Sequence, residues 1–121
     1  MGHILVIDDD DQIRSMLRRV LEHEGYAVEE AADGLEGERT YRENPADLVI
    51  TDIVMPNKEG IETIKDLVQE FPDVKIIATS GGGRMRPQPY LEIAEALGVD
   101  RVFAKPFDIK ELLAAVKELL E

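Results

Sequence analysis

The sequence predicts an α/β protein with a five-stranded parallel sheet and helices between the strands. Five short apolar runs alternate with stretches whose apolar residues recur at helical spacing, which is typical of repeated strand–helix units. Charged or hydroxyl side chains directly follow four of these runs, as expected where strand ends line one crevice of an open sheet. At 121 residues, the chain is predicted to form one domain, residues 1–121, with room for a real core.

The first strand–helix–strand unit covers the amino-terminal quarter of the chain. Residues 3–7 are the first predicted strand, and Asp10 and Asp11 are expected to cap the following helix and occupy its first turn. The apolar face of that helix comprises Ile13, Met16, Leu17, Val20 and Leu21. Gly25 is placed where a helix ends, and residues 26–31 form a more polar second strand that suits a sheet edge.

The second unit pairs a capped helix with a buried strand. Asp33 is the predicted N-cap of a helix running to about Arg42, and Asn44-Pro45 ends it. Residues 47–51 form the third predicted strand, and their apolar centre, Leu48-Val49-Ile50, is typical of a strand that is buried on both faces.

The remaining units follow the same pattern. Two helices are predicted from apolar spacing, one from Ile61, Ile64, Val68 and Phe71 and one from Tyr90, Ile93, Ala94 and Leu97. Residues 74–79 and 101–104 are the fourth and fifth predicted strands, while the Gly- and Pro-rich residues 81–89 are too irregular for either structure. A capping box of Asp108 and Glu111 starts the last helix. Its apolar stripe comprises Ile109, Leu112, Leu113, Val116 and Leu120.

The chain is strongly acidic and lacks cysteine. A net charge of −12, from 26 acidic and 14 basic residues, argues against direct nucleic-acid binding, which depends on clustered lysine and arginine. The absence of cysteine excludes disulfides, a thiolate nucleophile and a Cys-ligated zinc site. Because the sequence contains no long apolar run and no signal peptide, we expect a soluble cytoplasmic protein without membrane contact.

Five side chains at the ends of the predicted strands are the candidate functional residues. They are Asp8, Asp9, Asp52, Ser80 and Lys105. Because the carboxyl ends of parallel strands line one crevice, we expect these side chains to meet in one pocket. The three carboxylates make a hard-oxygen cation site, and the hydroxyl beside the ammonium suits a phosphate.

Mg²⁺ is the predicted cation, because one or two carboxylates suffice for it when substrate phosphate and water complete its octahedron. Asp9 and Asp52 are the candidate direct ligands, and Asp8 acts either directly or through a bound water. The backbone carbonyl of Val54 is the candidate that completes the protein's share. Without metal, the clustered acids should raise one another's pKa values.

Asp52 is the predicted nucleophile of a phosphoryl transfer, since it stands alone at the end of a central strand. Lys105 would neutralise one phosphoryl oxygen, and Ser80 would hydrogen-bond another. Thr79 competes for the hydroxyl role. Strand alternation sends Thr79 and Ser80 to opposite faces, and the glycine after Ser80 favours Ser80.

Four short segments stand in a distinctive order and spacing. They are Val6-Ile7-Asp8-Asp9, Asp52 with Met55-Pro56 and Gly60, Ser80-Gly81, and Lys105-Pro106-Phe107. Together they resemble the receiver domain of two-component response regulators, and the resemblance covers the whole chain. It implies a flavodoxin-like, doubly wound parallel sheet of five strands in the order 2-1-3-4-5 with five helices.

The resemblance also implies a function. A histidine kinase or histidine phosphotransfer protein would donate phosphate to Asp52, so that the chain catalyses only its own phosphorylation and dephosphorylation. Phosphorylation would pull Ser80 inward and reshape a surface on the last two strands and helices, which binds a downstream protein target whose identity is unknown.

Family members often carry Tyr or Phe where this chain has Val102, so a ring flip there is not expected; Phe103 faces the other side of the sheet. Since the chain starts at Met1 and ends with its last helix, we expect a stand-alone receiver, with a receiver cut from a longer protein as the alternative.

Two other functions stay open. Phosphatases that resemble haloacid dehalogenases also form an aspartyl phosphate, but residues 8–12 lack the Thr or Val of their motif, and no segment is long enough for a cap domain. A docking module that has lost phosphorylation is the second alternative, and the presence of all five candidate residues argues against it.

Overall fold

The computed structural model describes residues 2–53, 60–80, 92 and 94–121. Its strands are β1 (His3–Ile7), β2 (Ala27–Ala31), β3 (Leu48–Asp52), β4 (Ile76–Ser80) and β5 (Arg101–Ala104). Helices α1 (Asp11–His23), α2 (Gly34–Glu43) and α3 (Gly60–Glu70) connect the first four strands. Helix α4, described over residues 94–97, precedes β5, and α5 (Ile109–Leu120) follows it. The predicted alternation of strands and helices is confirmed.

The five strands form one parallel sheet in the order β2-β1-β3-β4-β5. From β1, the chain places β2 on one side and then β3, β4 and β5 on the other side, as expected for a doubly wound sheet. This order confirms the predicted fold class. In the ladder, Asp52 at the end of β3 lies opposite Thr79 of β4. Ser80, the next residue of β4, lies opposite Ala104 at the end of β5. The polar ends of the central strands are therefore neighbours.

Two apolar clusters cover the two faces of the sheet. One joins alternate strand residues to α2, α3 and α4, and includes Leu5, Ile7, Val49, Ile64, Leu67, Ala78 and Ala94. The other joins the intervening strand residues to α1 and α5, and includes Ile4, Val6, Leu17, Leu21, Ile50, Ile77, Leu112 and Val116. Neighbouring side chains of a strand point to opposite faces, so both clusters draw on the same strands. All five residues of both β3 and β4 are buried, as expected for central parallel strands.

Aspartates cap three of the helices, as predicted. The Asp10 carboxylate accepts hydrogen bonds from the backbone N–H groups of the first turn of α1, and Asp33 accepts from the third residue of α2, Glu36. Asp108 caps α5, but its carboxylate accepts from the N–H of Lys110 at 2.8 Å and not from Glu111, as a capping box would require. Within the described ranges, no helix is long and apolar enough to span a membrane.

The two central strands end one residue later than predicted, and they also begin later than predicted. The apolar runs suggested strands over residues 47–51 and 74–79, whereas the structure has Leu48–Asp52 and Ile76–Ser80. The ladder between parallel neighbours continues through the polar end residues, because backbone pairing does not depend on side-chain polarity. Asp52 and Ser80 are thus the last residues of their strands, held by the sheet and not by a loop.

Candidate functional site

The candidate side chains are presented by the carboxyl ends of four different strands, with Asp9 next to Asp8 after β1. Asp8 directly follows β1, Asp52 ends β3, Ser80 ends β4, and Lys105 directly follows β5. All four positions lie at one edge of the same sheet, as predicted from the apolar runs.

Three carboxylates converge at this edge. Oxygen atoms of Asp8, Asp9 and Asp52 all lie within 4.8 Å of one another. The side chains of Asp8 and Asp52 are buried, whereas Asp9 is exposed and so lies at the mouth of the site. Hard oxygen donors at this spacing fit a magnesium ion, which binds few carboxylates and keeps several waters. Val54, the other predicted metal ligand, lies outside the described residues.

Asp8 is held through both its side chain and its backbone. Its two carboxylate oxygens accept hydrogen bonds from the Asp10 N–H at 2.9 Å and from the Lys105 ammonium at 2.9 Å. Its backbone N–H donates to the Ala31 carbonyl at 3.1 Å, and its carbonyl accepts from the Arg14 guanidinium at 2.6 Å. The carboxylate is therefore fixed in place with lone pairs still available for a cation.

Asp52 is the second buried carboxylate. Its Oδ1 accepts the N–H of the following residue, Ile53, at 2.9 Å, while its Oδ2 lies 3.3 Å from the Lys105 Nζ. The Thr51 hydroxyl donates to the Asp52 carbonyl at 3.0 Å. The backbone and one carboxylate oxygen are thus anchored, and the other oxygen faces the ammonium.

Lys105 joins the two buried carboxylates. Its side chain is 12% exposed, and its Nζ lies within 3.3 Å of both Asp8 and Asp52. Its backbone N–H donates to the Ser80 carbonyl at 2.6 Å, which ties the lysine to the end of β4. The Lys105–Pro106 peptide bond is cis. The predicted meeting of lysine and carboxylates is present in the structure.

The site shifts the pKa values of its own groups. Burial, followed by the charge of Asp8, raises the pKa of Asp52 to about 6, although Lys105 opposes this shift. The mutual effect expected among the clustered acids is therefore present at Asp52, with burial as the larger cause. Burial lowers the pKa of Lys105, but the carboxylates of Asp8 and Asp52 raise it overall. The lysine accordingly stays cationic in the site.

Two hydroxyl residues end β4 beside the carboxylates. Thr79 and Ser80 are both buried, at 2% and 1% exposure. The carbonyl of Thr79 accepts the N–H of Ile53 at 2.9 Å, so the backbone of Thr79 serves to align β3 with β4. The choice of Ser80 as the phosphate-binding hydroxyl stays a prediction.

Gly60 and Arg14 support the site in ways that apolar patterning does not reveal. A Cβ added to Gly60 would lie 2.1 Å from the Asp52 carbonyl oxygen and 2.5 Å from the Ile53 Cα, so only glycine permits this approach of α3 to β3. Arg14 contacts the Asp8 carbonyl. The only sequence signal for this contact is the position of Arg14 in the first turns of α1, four residues after the N-cap Asp10.

The chain has clear relatives among known proteins. Residues 4–117 match the family model of the response regulator receiver domain. The chain is 36% identical over 120 residues to transcriptional regulatory protein CpxR of Klebsiella pneumoniae, covering 99% of this chain and 50% of that protein. It is 37% identical over 125 residues to sensor kinase CckA of Brucella abortus, covering 98% of this chain and 12% of CckA.

A solved structure of similar length has the same fold. The response regulator protein TrrA from Thermotoga maritima, in complex with Mg(2+)-BeF, aligns with a TM-score of 0.87 and 32% identity, covering 99% of this chain and 100% of TrrA. In contrast, the chain spans about half the length of the CpxR proteins that it matches. The family match over nearly the whole chain, and relatives above 30% identity, place the chain in the response regulator receiver domain family of two-component systems.

Proposed function

We propose that the chain, over residues 1–121, is a phosphoacceptor whose Asp52 receives a phosphoryl group from a phosphohistidine donor. The observation that carries this proposal is the buried Asp52 carboxylate, with the Lys105 ammonium at 3.3 Å and the oxygens of Asp8 and Asp9 within 4.8 Å. A nucleophile, a cation for the transferred oxygens and a set of metal ligands are the groups that phosphoryl transfer requires.

The proposed reaction forms an acyl phosphate. A carboxylate oxygen of Asp52 attacks the phosphorus, the phosphorus–nitrogen bond of the phosphohistidine breaks, and the departing imidazole takes a proton. Lys105 balances negative charge on the transferred phosphoryl group, because its ammonium already lies beside the Asp52 Oδ2. Ser80 donates its hydroxyl to another phosphoryl oxygen, with Thr79 as the neighbouring alternative.

Mg²⁺ is the proposed cofactor. Asp8, Asp9 and Asp52 would hold the ion, and the Val54 carbonyl is the proposed fourth ligand from the protein. When bound, the ion supplies positive charge against the phosphoryl oxygens. The TrrA structure supports this proposal, since that similar receiver was solved in complex with Mg(2+)-BeF.

A histidine kinase or histidine phosphotransfer protein is the proposed donor. The similarity to a sensor kinase and to transcriptional regulators supports a place in a phosphorelay, and we propose that phosphorylation switches a protein-binding surface for a downstream target. The chain is proposed to act in the cytoplasm, to contact no nucleic acid or membrane directly, and to catalyse no reaction beyond its own phosphorylation and dephosphorylation.

Intact-mass measurement with phosphoramidate tests the function, because this small donor contains the same phosphorus–nitrogen bond as phosphohistidine. We expect wild-type protein to gain one phosphoryl group in Mg²⁺ and none in EDTA. Asp52→Asn should gain none, whereas the matched control Asp73→Asn, at an exposed position, should behave as wild type. Mg²⁺-dependent labelling of Asp52→Asn would contradict the assignment of the nucleophile. Repeated turnover of a small phosphoester would instead indicate a phosphatase.

A further inference from the structure

Arg14 makes two contacts where β1 passes into α1, beside the metal-binding carboxylates, and a third contact with β2. Its Nη1 donates to the Asp8 carbonyl at 2.6 Å, and its Nη2 donates to the Asp11 carboxylate. Its Nε donates to the Glu30 carboxylate of β2 at 3.2 Å. The side chain is only 15% exposed, so it is packed into the structure and does not extend into solvent.

These contacts tie the turn between β1 and α1 to two neighbouring elements. The Asp8 N–H is bonded to the Ala31 carbonyl of β2, so Arg14 and β2 hold the two ends of the same residue. Asp9, the exposed member of the carboxylate cluster, has its backbone between the Asp8 carbonyl and the N-cap Asp10. The orientation of the Asp8 carbonyl therefore determines where the Asp9 backbone starts. It thereby determines the position of the third carboxylate.

The charge of Arg14 does not explain its presence beside a cation site. A guanidinium remains protonated in proteins and repels a nearby divalent cation, so by charge alone it would weaken metal binding. Its planar fork, in contrast, can donate to several acceptors in one fixed geometry, as it does here toward a carbonyl and two carboxylates.

We infer that Arg14 is a positioning residue for the cation site, which acts through the Asp8 carbonyl to hold Asp8 and Asp9 in binding geometry; this inference rests on the proposed function. Arg14 does not touch the reacting atoms. Its loss should therefore reduce the affinity for Mg²⁺ and leave the phosphorylation rate at saturating Mg²⁺ nearly unchanged.

Arg18 provides a matched control one turn further along α1. It carries the same charge and also binds Glu30, at 2.7 Å, but its other described partner is Glu22, at 3.3 Å. Its side chain is 44% exposed. Arg18→Gln thus removes an equal charge and a similar ion pair, and Arg18→Lys keeps the charge, and neither removes a bond to the Asp8 carbonyl.

The test is a Mg²⁺ titration that is monitored by NMR at the backbone amide signals of Asp9 and Asp10. It compares wild type with Arg14→Gln, Arg14→Lys, Arg18→Gln and Arg18→Lys. Thermal melts in EDTA compare the folding of the variants, and phosphorylation by phosphoramidate is measured across the same Mg²⁺ range. The NMR titration reports metal affinity independently of phosphorylation, so failure of the proposed function and failure of this inference give different results.

Both Arg14 variants should bind Mg²⁺ about tenfold more weakly than wild type, as expected when a group that orients a metal ligand is lost. Arg18→Gln and Arg18→Lys should bind Mg²⁺ with wild-type affinity, or slightly more tightly if the charge is removed. Because Arg14→Lys retains the charge, its comparison with wild type isolates the effect of geometry. It also keeps the inference testable if Arg14→Gln fails to fold. Equal or tighter Mg²⁺ binding by a folded Arg14 variant, or absence of Mg²⁺ binding by wild type, would overturn the inference. Wild-type Mg²⁺ binding without phosphorylation would contradict only the proposed function.

Discussion

At the scale of single residues, the sequence predicts which groups meet but not how each is held. Asp8, Asp52 and Lys105 were predicted to meet because each follows or ends a strand, and the structure places the Lys105 Nζ within 3.3 Å of both carboxylates. The contact between Arg14 and the Asp8 carbonyl was not predicted, because it depends on how α1 is oriented over the end of β1. Ser80 was predicted over Thr79 as the phosphate-binding hydroxyl, and that choice stays a prediction, because both residues are buried and burial does not distinguish them.

The raised pKa of Asp52 leads to a prediction on stability. The pKa of this carboxyl is about 6 in the folded protein and 3.8 for an unperturbed group, so the folded state binds more protons between these values. Folding stability therefore falls as pH rises from about 4 through about 6, because the buried carboxylate must ionise. In EDTA, Asp52→Asn should raise the free energy of unfolding by about 1–3 kcal/mol at pH 8 and by little near pH 3.5.

Urea denaturation at the two pH values measures this difference, with Asp73→Asn as the control for loss of an exposed acid. A stabilisation by Asp52→Asn of the same size at both pH values would show that ionisation of the carboxyl is not its cause. No stabilisation at pH 8 would show that Lys105 fully compensates the buried charge.

At the scale of helices and strands, the sequence predicts the type and order of the elements better than their ends. The helix caps at Asp10, Asp33 and Asp108 were predicted from local chemistry, which acts within one turn. The ends of β3 and β4 were placed one residue early, because the pairing that extends them involves strands distant in sequence. Close packing between elements, such as that of Gly60 against Asp52, is a further property that depends on the tertiary fold.

The contact between α3 and β3 leads to a prediction at Gly60. In Gly60→Ala the added methyl group would overlap the Asp52 carbonyl, so the backbone that carries the nucleophile must move. We expect a loss of about 1–3 kcal/mol in unfolding free energy, as for other overpacked sites. The phosphorylation rate should also fall, because Asp52 is displaced relative to Lys105.

Gly98→Ala is the control for this experiment. Gly98 has a φ of +97° and open space around the position of a Cβ, so the substitution strains the backbone without crowding the site. It should cost about 1–2 kcal/mol of stability and leave phosphorylation unchanged. Equal phosphorylation by folded Gly60→Ala and wild type would show that the close approach of α3 does not position Asp52.

At the scale of the whole molecule, topology brings distant residues into one site. Asp8 and Lys105 are 97 residues apart in sequence, and they meet because β1 and β5 both end at the same edge of the sheet. The strand order was predicted from resemblance to a family, since apolar runs alone do not show which strands are neighbours. Once that order is known, the convergence of the four strand ends follows from the parallel direction of the strands.

The central claim is that Asp52 becomes phosphorylated in a Mg²⁺-dependent reaction. Its most direct test is to locate the phosphate in wild-type protein treated with phosphoramidate, by borohydride reduction of the acyl phosphate followed by mass spectrometry of peptides. We predict a reduced side chain at position 52 in the Mg²⁺ sample and none in the EDTA sample. Modification at Asp8, Asp9 or any other carboxylate, or equal modification of Asp52 without Mg²⁺, would contradict the account.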